Sequence, residues 1–290
     1  MKAQWLISNL GDTNIHKLHY AAKEIGRESE IITLGDIAQI SETDSNERKC
    51  VISCGSIWGN REIRRSRPNW IGTFHERKFF SCTNYYSYLG KMISQKNYCM
   101  LTLEEMFRRK DWMYEKFGKD DLIFLRPNSG EKEFNGELVH KVKFDEWQNY
   151  IQQALTLDPT LLCVVSEPIE IQSEMRILVA EGKAVTGSYY RVAKHLHSEE
   201  VVGEDWDKCA KFAESVVASL PNAPPFFVVD IAVESDRISV LEIGCFCCAG
   251  MYACDRHKIA EAVSIAAENE FSRKEKENDI KTEEHRQETP

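Results

Sequence analysis

Two acidic residues interrupt the most apolar strand-forming runs near the end of the chain. Asp230 sits in Phe226-Phe-Val-Val-Asp-Ile-Ala-Val233 and Glu242 in Ile238-Ser-Val-Leu-Glu-Ile243. The two runs read as a β-hairpin, and a bare carboxylate buried in such a setting costs several kcal/mol unless a cation meets it. Two of them side by side call for a hard divalent ion such as Mg²⁺, which binds one or two carboxylates together with substrate phosphates. Register decides whether they can cooperate, because side chains alternate faces along a strand. A three-residue loop, Ser235-Asp236-Arg237, sets Asp230 opposite Glu242, whereas a two-residue loop offsets them. The alternative, that either acid faces solvent on a one-sided sheet, stays open at this point.

A chain of 290 residues with 42% hydrophobic residues can bury a substantial core and is expected to form two domains. Its net charge of −9 argues against a dedicated binder of nucleic acid or anionic membranes. The first ten residues reach Gly-Asp too soon for a signal peptide, and there is no 18-residue apolar run. A cytoplasmic protein with reduced thiols is therefore expected. Cys245, Cys247 and Cys248 form the tight cysteine cluster. No second paired element accompanies them, so buried small apolar residues are the leading reading and a metal–thiolate site the lesser one.

Residues 1–90 read as alternating strands and helices, a small parallel α/β sheet: strands at 4–8, 30–33 and 50–53, helix at 15–25, and a further strand at 79–83. No G-x-G-x-x-G follows the first strand. Helices are expected at 84–93 and 103–117, the second opened by a capping box of Thr102 and Glu105 and ended by Gly118. From 122 the pattern becomes antiparallel α+β. It runs 122–126 with 137–142, 160–165 with 174–180, 184–191, then the acidic hairpin, with helices at 145–155 and 205–220. Residues 271–290 carry mostly charged and polar side chains and are expected to be a disordered tail.

Three further stretches carry chemistry. With Gly182-Lys183 as a type II′ turn, Glu174 falls opposite Arg191 and Arg176 opposite Tyr189, all on one face. Arginines so placed can grip phosphate bidentately, although a plain cross-strand ion pair explains them as well. Arg126 ends a strand and leads into a long polar loop holding Gly130, Lys132 and Gly136, able to fold over a triphosphate without being a Walker A loop. Ser166-Glu-Pro-Ile169 breaks a strand and exposes backbone that could read an adenine edge, or simply turns between domains. Arg61, Arg64, Arg65 and Arg67, with Trp58 and Trp70 nearby, could contact RNA or an anionic acceptor substrate. His195 and His197 could serve as a general base but read more readily as solvent-facing residues.

Together these residues resemble the ATP-grasp family of carboxylate–amine and carboxylate–thiol ligases over about 79–265. More narrowly they resemble a phage-type clade with a two-arginine, one-lysine signature. The resemblance implies an ATP-grasp fold behind a small N-terminal Rossmann-like (pre-ATP-grasp) domain, with boundaries 1–90, 91–270 and a tail at 271–290. It implies an ATP-dependent enzyme using ATP and Mg²⁺. That enzyme activates a small-molecule carboxylate as an acyl phosphate for an amine, of an amino acid or peptide, or for a thiol. By the same resemblance Lys110, with Lys116 as the alternative, reaches the nucleotide phosphates. Arg126 takes the place of a phosphate-binding lysine, Lys132 belongs to the lid, Glu167 and Ile169 to the adenine hinge, and Glu174 holds the ribose. Arg176 and Arg191 stabilise the transferring phosphate, and Asp230 and Glu242 bind metal. One departure stands out: the family's second metal strand usually reads Glu-x-Asn-Pro, and here Glu242-Ile-Gly244-Cys245 lacks the asparagine. A catalytically degenerate protein that binds nucleotide or a protein partner without ligation is therefore the alternative. Membrane and nucleic-acid partners are not expected.

Overall fold

A computed structural model describes residues 1–8, 13–42, 47–235 and 237–287. Four parallel strands open the chain: β1 (Gln4–Ser8), β2 (Glu28–Ile32), β3 (Lys49–Cys54) and β4 (Trp70–Ile71), in the order β2-β1-β3-β4. Parallel neighbours need crossovers, supplied by α1 (Thr13–Glu24), α2 (Leu34–Glu42) and α3 (Ile57–Ser66). Both faces of this sheet are buried. Trp5, Ile7 and Ile52 enter one core, while Leu6 and Val51 meet Ile37 and Ile63 in another.

Next come α4 (Cys82–Leu89) and an antiparallel sheet of β5 (Tyr98–Thr102), β6 (Leu122–Pro127), β7 (Glu137–His140) and β8 (Leu162–Ser166), ordered β5-β8-β6-β7. Helices α5 (Leu103–Arg108), α6 (Lys110–Phe117) and α7 (Phe144–Asn149) cover one face, burying Met113, Phe144 and Trp147 against Ile123, Leu125 and Val165. Thr102 accepts the Glu105 N–H as the capping box requires. The helix expected at 103–117 is broken at Arg109, and the strand expected at 79–83 is a turn leading into α4, closed by Asn84 bonding the Phe79 carbonyl.

The last sheet orders as β11-β10-β9-β12-β13: β9 (Ser173–Ala180), β10 (Lys183–Val192), β11 (His195–Glu200), β12 (Phe226–Val233) and β13 (Ile238–Gly244). Helix α8 (Gly203–Ala218) packs on Ile177, Val179, Phe227 and Val229, and α9 (Arg256–Gln287) on Leu178, Phe226 and Val228. The strand read at 160–165 pairs with β5 and β6, not with 174–180, because the Pro168 connector carries the chain into a different sheet. Where a disordered tail is expected from 271, α9 continues to Gln287. Ion pairs one turn apart, Arg273 with Glu270 and with Glu277, support this polar stretch. No described helix is long and apolar enough to cross a membrane.

Candidate active site

Bulges in β13 and β10 build the site. Strands β12 and β13 pair in regular register from Val233↔Ile238 to Ile231↔Val240, which by itself would set Asp230 opposite Leu241. A bulge takes up Leu241 and brings Glu242 opposite Asp230 instead. The connection is thus one residue longer than the expected three-residue loop, and the bulge restores the expected pairing; Asp236, in that loop, lies outside the described residues. Across the other edge of β12, Asp230 pairs with Arg176 of β9. Arg176, Asp230 and Glu242 therefore stand in a row on one face of three adjacent strands.

Strand β10 carries two bulges as well. The turn before it is Glu181-Gly182, both with positive φ (+47° and +80°), the twist of a type I′ hairpin and not the expected Gly182-Lys183 turn. Glu174 still meets Arg191, but Arg176 lies opposite Ser188 and not Tyr189. The second bulge, between Tyr189 and Arg191, frees Tyr190 to stack on Tyr252 at 5.2 Å between ring centres. The Arg176 guanidinium lies 5.8 and 5.4 Å from those two rings. Burial, reinforced by the charges of Asp230 and Glu174, holds the Tyr190 phenol well above its ordinary range.

This face walls a cavity of about 790 Å³ between the second and third sheets, a size that suits a drug-sized or nucleotide ligand. Arg176 grips Asp230 with both ends of its fork (Nε to Oδ1 2.8 Å, Nη2 to Oδ2 2.7 Å) and donates Nη1 to the Gly250 carbonyl at 2.9 Å. Arg126 reaches Glu242 Oε1 at 3.1 Å and the Leu241 carbonyl at 3.2 Å. Burial pulls both guanidiniums down, but the facing carboxylates more than offset it and hold them above their ordinary range. Arg191 meets Glu174 at 3.1 Å in a more open setting. The acids are thus paired with arginine, yet both line open space, and the Glu242 side chain is 28% exposed. Two oxygen donors on one face beside a cavity fit a hard divalent ion completed by phosphate and water. Gly244, on the same face two residues along, adds no donor.

Of the residues expected in the site, Arg126, Lys132, Ile169, Glu174, Arg176, Arg191, Asp230 and Glu242 all line this cavity. Lys110 does not; it is held by Asp145 at 2.7 Å over the Phe144 ring, because α6 turns it toward α7. Glu167 is exposed outside the wall, its N–H tied to the Asn97 carbonyl, and Lys116 pairs with Glu115 on the surface. Ile169, in the connector after β8, has backbone groups without a protein partner among the described residues. Lys132 sits at the rim with Lys194, neither with a carboxylate partner among the described residues. Tyr190, Tyr252 and Lys194 were not legible as site residues, since bulges and long-range contacts place them. His195 and His197 lie on the exposed edge strand β11. Arg61, Arg64 and Arg65 pair with Glu131, Glu76 and Glu62, and Arg67 lies over Trp70.

A family profile described as the ATP-grasp domain, R2K clade family 2, matches residues 102–262. No curated protein sequence matches significantly. Among solved structures, the D-cycloserine synthetase DcsG aligns with TM-score 0.65 at 12% identity, covering 91% of this chain and 99% of its own. The D-alanine–D-alanine ligase of Bacillus anthracis aligns with TM-score 0.59 at 14% identity, covering 96% and 99%. The ligase PsnB, in complex with its precursor peptide PsnA2 and AMPPNP, aligns with TM-score 0.54 at 11% identity, covering 91% and 97%. At these identities the likeness is one of fold.

Proposed function

The chain belongs to the ATP-grasp family, in its R2K clade family 2, and from that premise we propose that it is an ATP-dependent ligase. It activates a carboxylate as an acyl phosphate for attack by an amine, of an amino acid or peptide, or by a thiol. The observation that carries this reading is the row of Arg176, Asp230 and Glu242 along the cavity wall.

In the first step a substrate carboxylate oxygen bonds to the γ-phosphorus and the bond to the β,γ-bridging oxygen breaks, releasing ADP. In the second, the nucleophile bonds to the acyl carbon, loses its proton and expels phosphate. Catalysis of phosphoryl transfer is mostly positioning and charge stabilisation. Asp230 and Glu242 would hold Mg²⁺, which would supply positive charge against the phosphate oxygens. Arg191, half-exposed, exchanges Glu174 for a phosphate oxygen, and Glu174 is thereby released toward the ribose hydroxyls. Arg176, fixed from behind by Asp230 and Gly250, offers charge without having to move. Lys132 and Lys194 add cations at the rim, the loop of Lys132 excludes water, and the free backbone at Ile169 suits an adenine edge.

An ADP-release screen over amino acids and small peptides tests the reading. At least one carboxylate–amine pair is expected to drive turnover, and Asp230→Ala with Glu242→Ala to abolish it. Unchanged turnover in that double variant, shown to be folded by circular dichroism, removes the mechanism. One observation favours a second reading, a nucleotide-binding protein without ligation: Gly244 stands where an amide ligand is usual. Nucleotide binding without turnover across a broad panel would support it.

A further inference from the structure

A second constellation, built from softer donors, lies outside the lining of the cavity. Cys245 and Cys248 are the ends of a C-x₂-C turn that leaves β13, and His75 reaches them from the segment between β4 and α4. One donor atom from each lies within 4.8 Å of the others. His75 was invisible in the sequence as a third donor because 170 positions separate it from Cys245; the fold supplies the partner that cysteine spacing lacked.

The imidazole is oriented as a ligand. Its Nε2 meets Glu131 Oε1 at 2.8 Å, and Glu131 is itself braced by Arg61 and Arg77, each at 3.4 Å. A carboxylate behind the far nitrogen is the usual support of a metal-bound histidine, fixing tautomer and ring direction. The other nitrogen, Nδ1, then faces Cys248 Sγ at 3.7 Å. That distance serves a hydrogen bond to sulfur and is also close to the edge of a tetrahedral site: zinc–nitrogen and zinc–sulfur bonds of about 2.0 and 2.3 Å set the two donors about 3.6 Å apart. Asn60 Nδ2 lies 3.6 Å from Cys248 Sγ, a donor suited to a thiolate, and is held by the Cys247 carbonyl at 3.0 Å. All three candidate ligands are partly buried, so the site is shielded yet reachable.

We propose that His75, Cys245 and Cys248 bind a zinc-class divalent cation, with water in the fourth position. Thiolate and imidazole donors select such an ion over Mg²⁺, which distinguishes this site from the Asp230–Glu242 pair. The ion would clasp the N-terminal unit to the end of the acidic hairpin and, through Glu131, to the loop that carries Lys132.

The untagged full chain, reduced and free of chelator, is incubated with Zn²⁺, desalted and assayed by mass spectrometry for metal; a parallel sample receives Co²⁺. About one zinc per chain is expected, with tetrahedral ligand-field bands and thiolate-to-cobalt charge transfer. Cys245→Ser, Cys248→Ser and His75→Ala should each lose the tetrahedral spectrum while Cys99→Ser keeps it. Glu131→Gln should retain the site with affinity lowered roughly 10- to 100-fold. Should the ligand variants fail to fold, X-ray absorption at the zinc edge of the wild type should count two sulfur and two nitrogen or oxygen neighbours, the imidazole and the water. A reduced wild-type chain that takes up no zinc overturns the proposal. So does a cobalt complex without thiolate charge transfer, or a Cys245–Cys248 disulfide whose reduction restores no metal binding.

Discussion

Arg176 and Arg191 are assigned the same task but differ in what holds them. Arg176 forms a bidentate pair with Asp230, which is 5% exposed, so truncating the arginine strands a buried carboxylate. Breaking one side of such a pair destabilises by about 3–5 kcal/mol, and Arg176→Ala should lower the urea midpoint accordingly. Arg191, whose side chain is 45% exposed against 11% for Glu174, makes a single-contact, more solvent-screened pair that is weaker than that of Arg176. Arg191→Ala should therefore lower the urea midpoint less than Arg176→Ala does, while reducing substrate-dependent ADP release by about 10²–10³, the usual loss when one charge-stabilising donor is removed. A collapse of stability in Arg191→Ala, or full turnover, would contradict that division. The sequence singles out all four residues, because charges in apolar strands demand partners, and sets Glu174 against Arg191, but it does not set Arg176 against Asp230, which come from strands distant in the chain. Tyr190 and Tyr252 were not legible, since nothing local announces that one bulge will stack them beneath a guanidinium.

At the level of elements, hairpins were read well where apolar alternation was strong, and pairing was read poorly where strands were half-buried or polar. β5 is partly exposed along its whole length and β11 is largely polar, so neither carried a strand pattern. The bulges matter most: without the one at Leu241, Glu242 would turn to the opposite face and the site would lose one acid. Close packing also fixes the β9–β10 hairpin. A Cβ added at Gly187 would lie 2.5 Å from Ile177 Cδ1 and 3.2 Å from the Arg176 carbonyl, with Trp206 of α8 beyond. Gly187→Val should destabilise by about 1–3 kcal/mol, seen as a lower urea midpoint with unchanged slope. It should also weaken nucleotide binding, because Arg176 lies on the strand that must shift. Wild-type stability in this variant would show that the hairpin is looser than described.

Across the whole molecule, α9 joins the end of the chain to its beginning. Trp5 donates to Ser264 at 3.0 Å, and Glu268 accepts Arg27 at 2.7 and 3.1 Å and the Ala3 N–H at 2.8 Å. Glu268→Ala leaves those donors unmet and should lower global stability by about 1–3 kcal/mol, with faster amide exchange in β1 and α9 together. Exchange confined to α9 would argue against this coupling. The alternation of strands and helices in the first unit and the antiparallel character of the rest were legible from periodicity. The return of α9 to the first sheet was not, because long-range docking leaves no local pattern. Calorimetric titration of ATP with and without Mg²⁺ decides whether the Asp230–Glu242 face holds a divalent ion together with a nucleotide. Tight binding that requires Mg²⁺, and is lost in folded protein carrying Asp230→Ala with Glu242→Ala, is the predicted result. Binding of equal strength in that double variant, or binding indifferent to the ion, would contradict it.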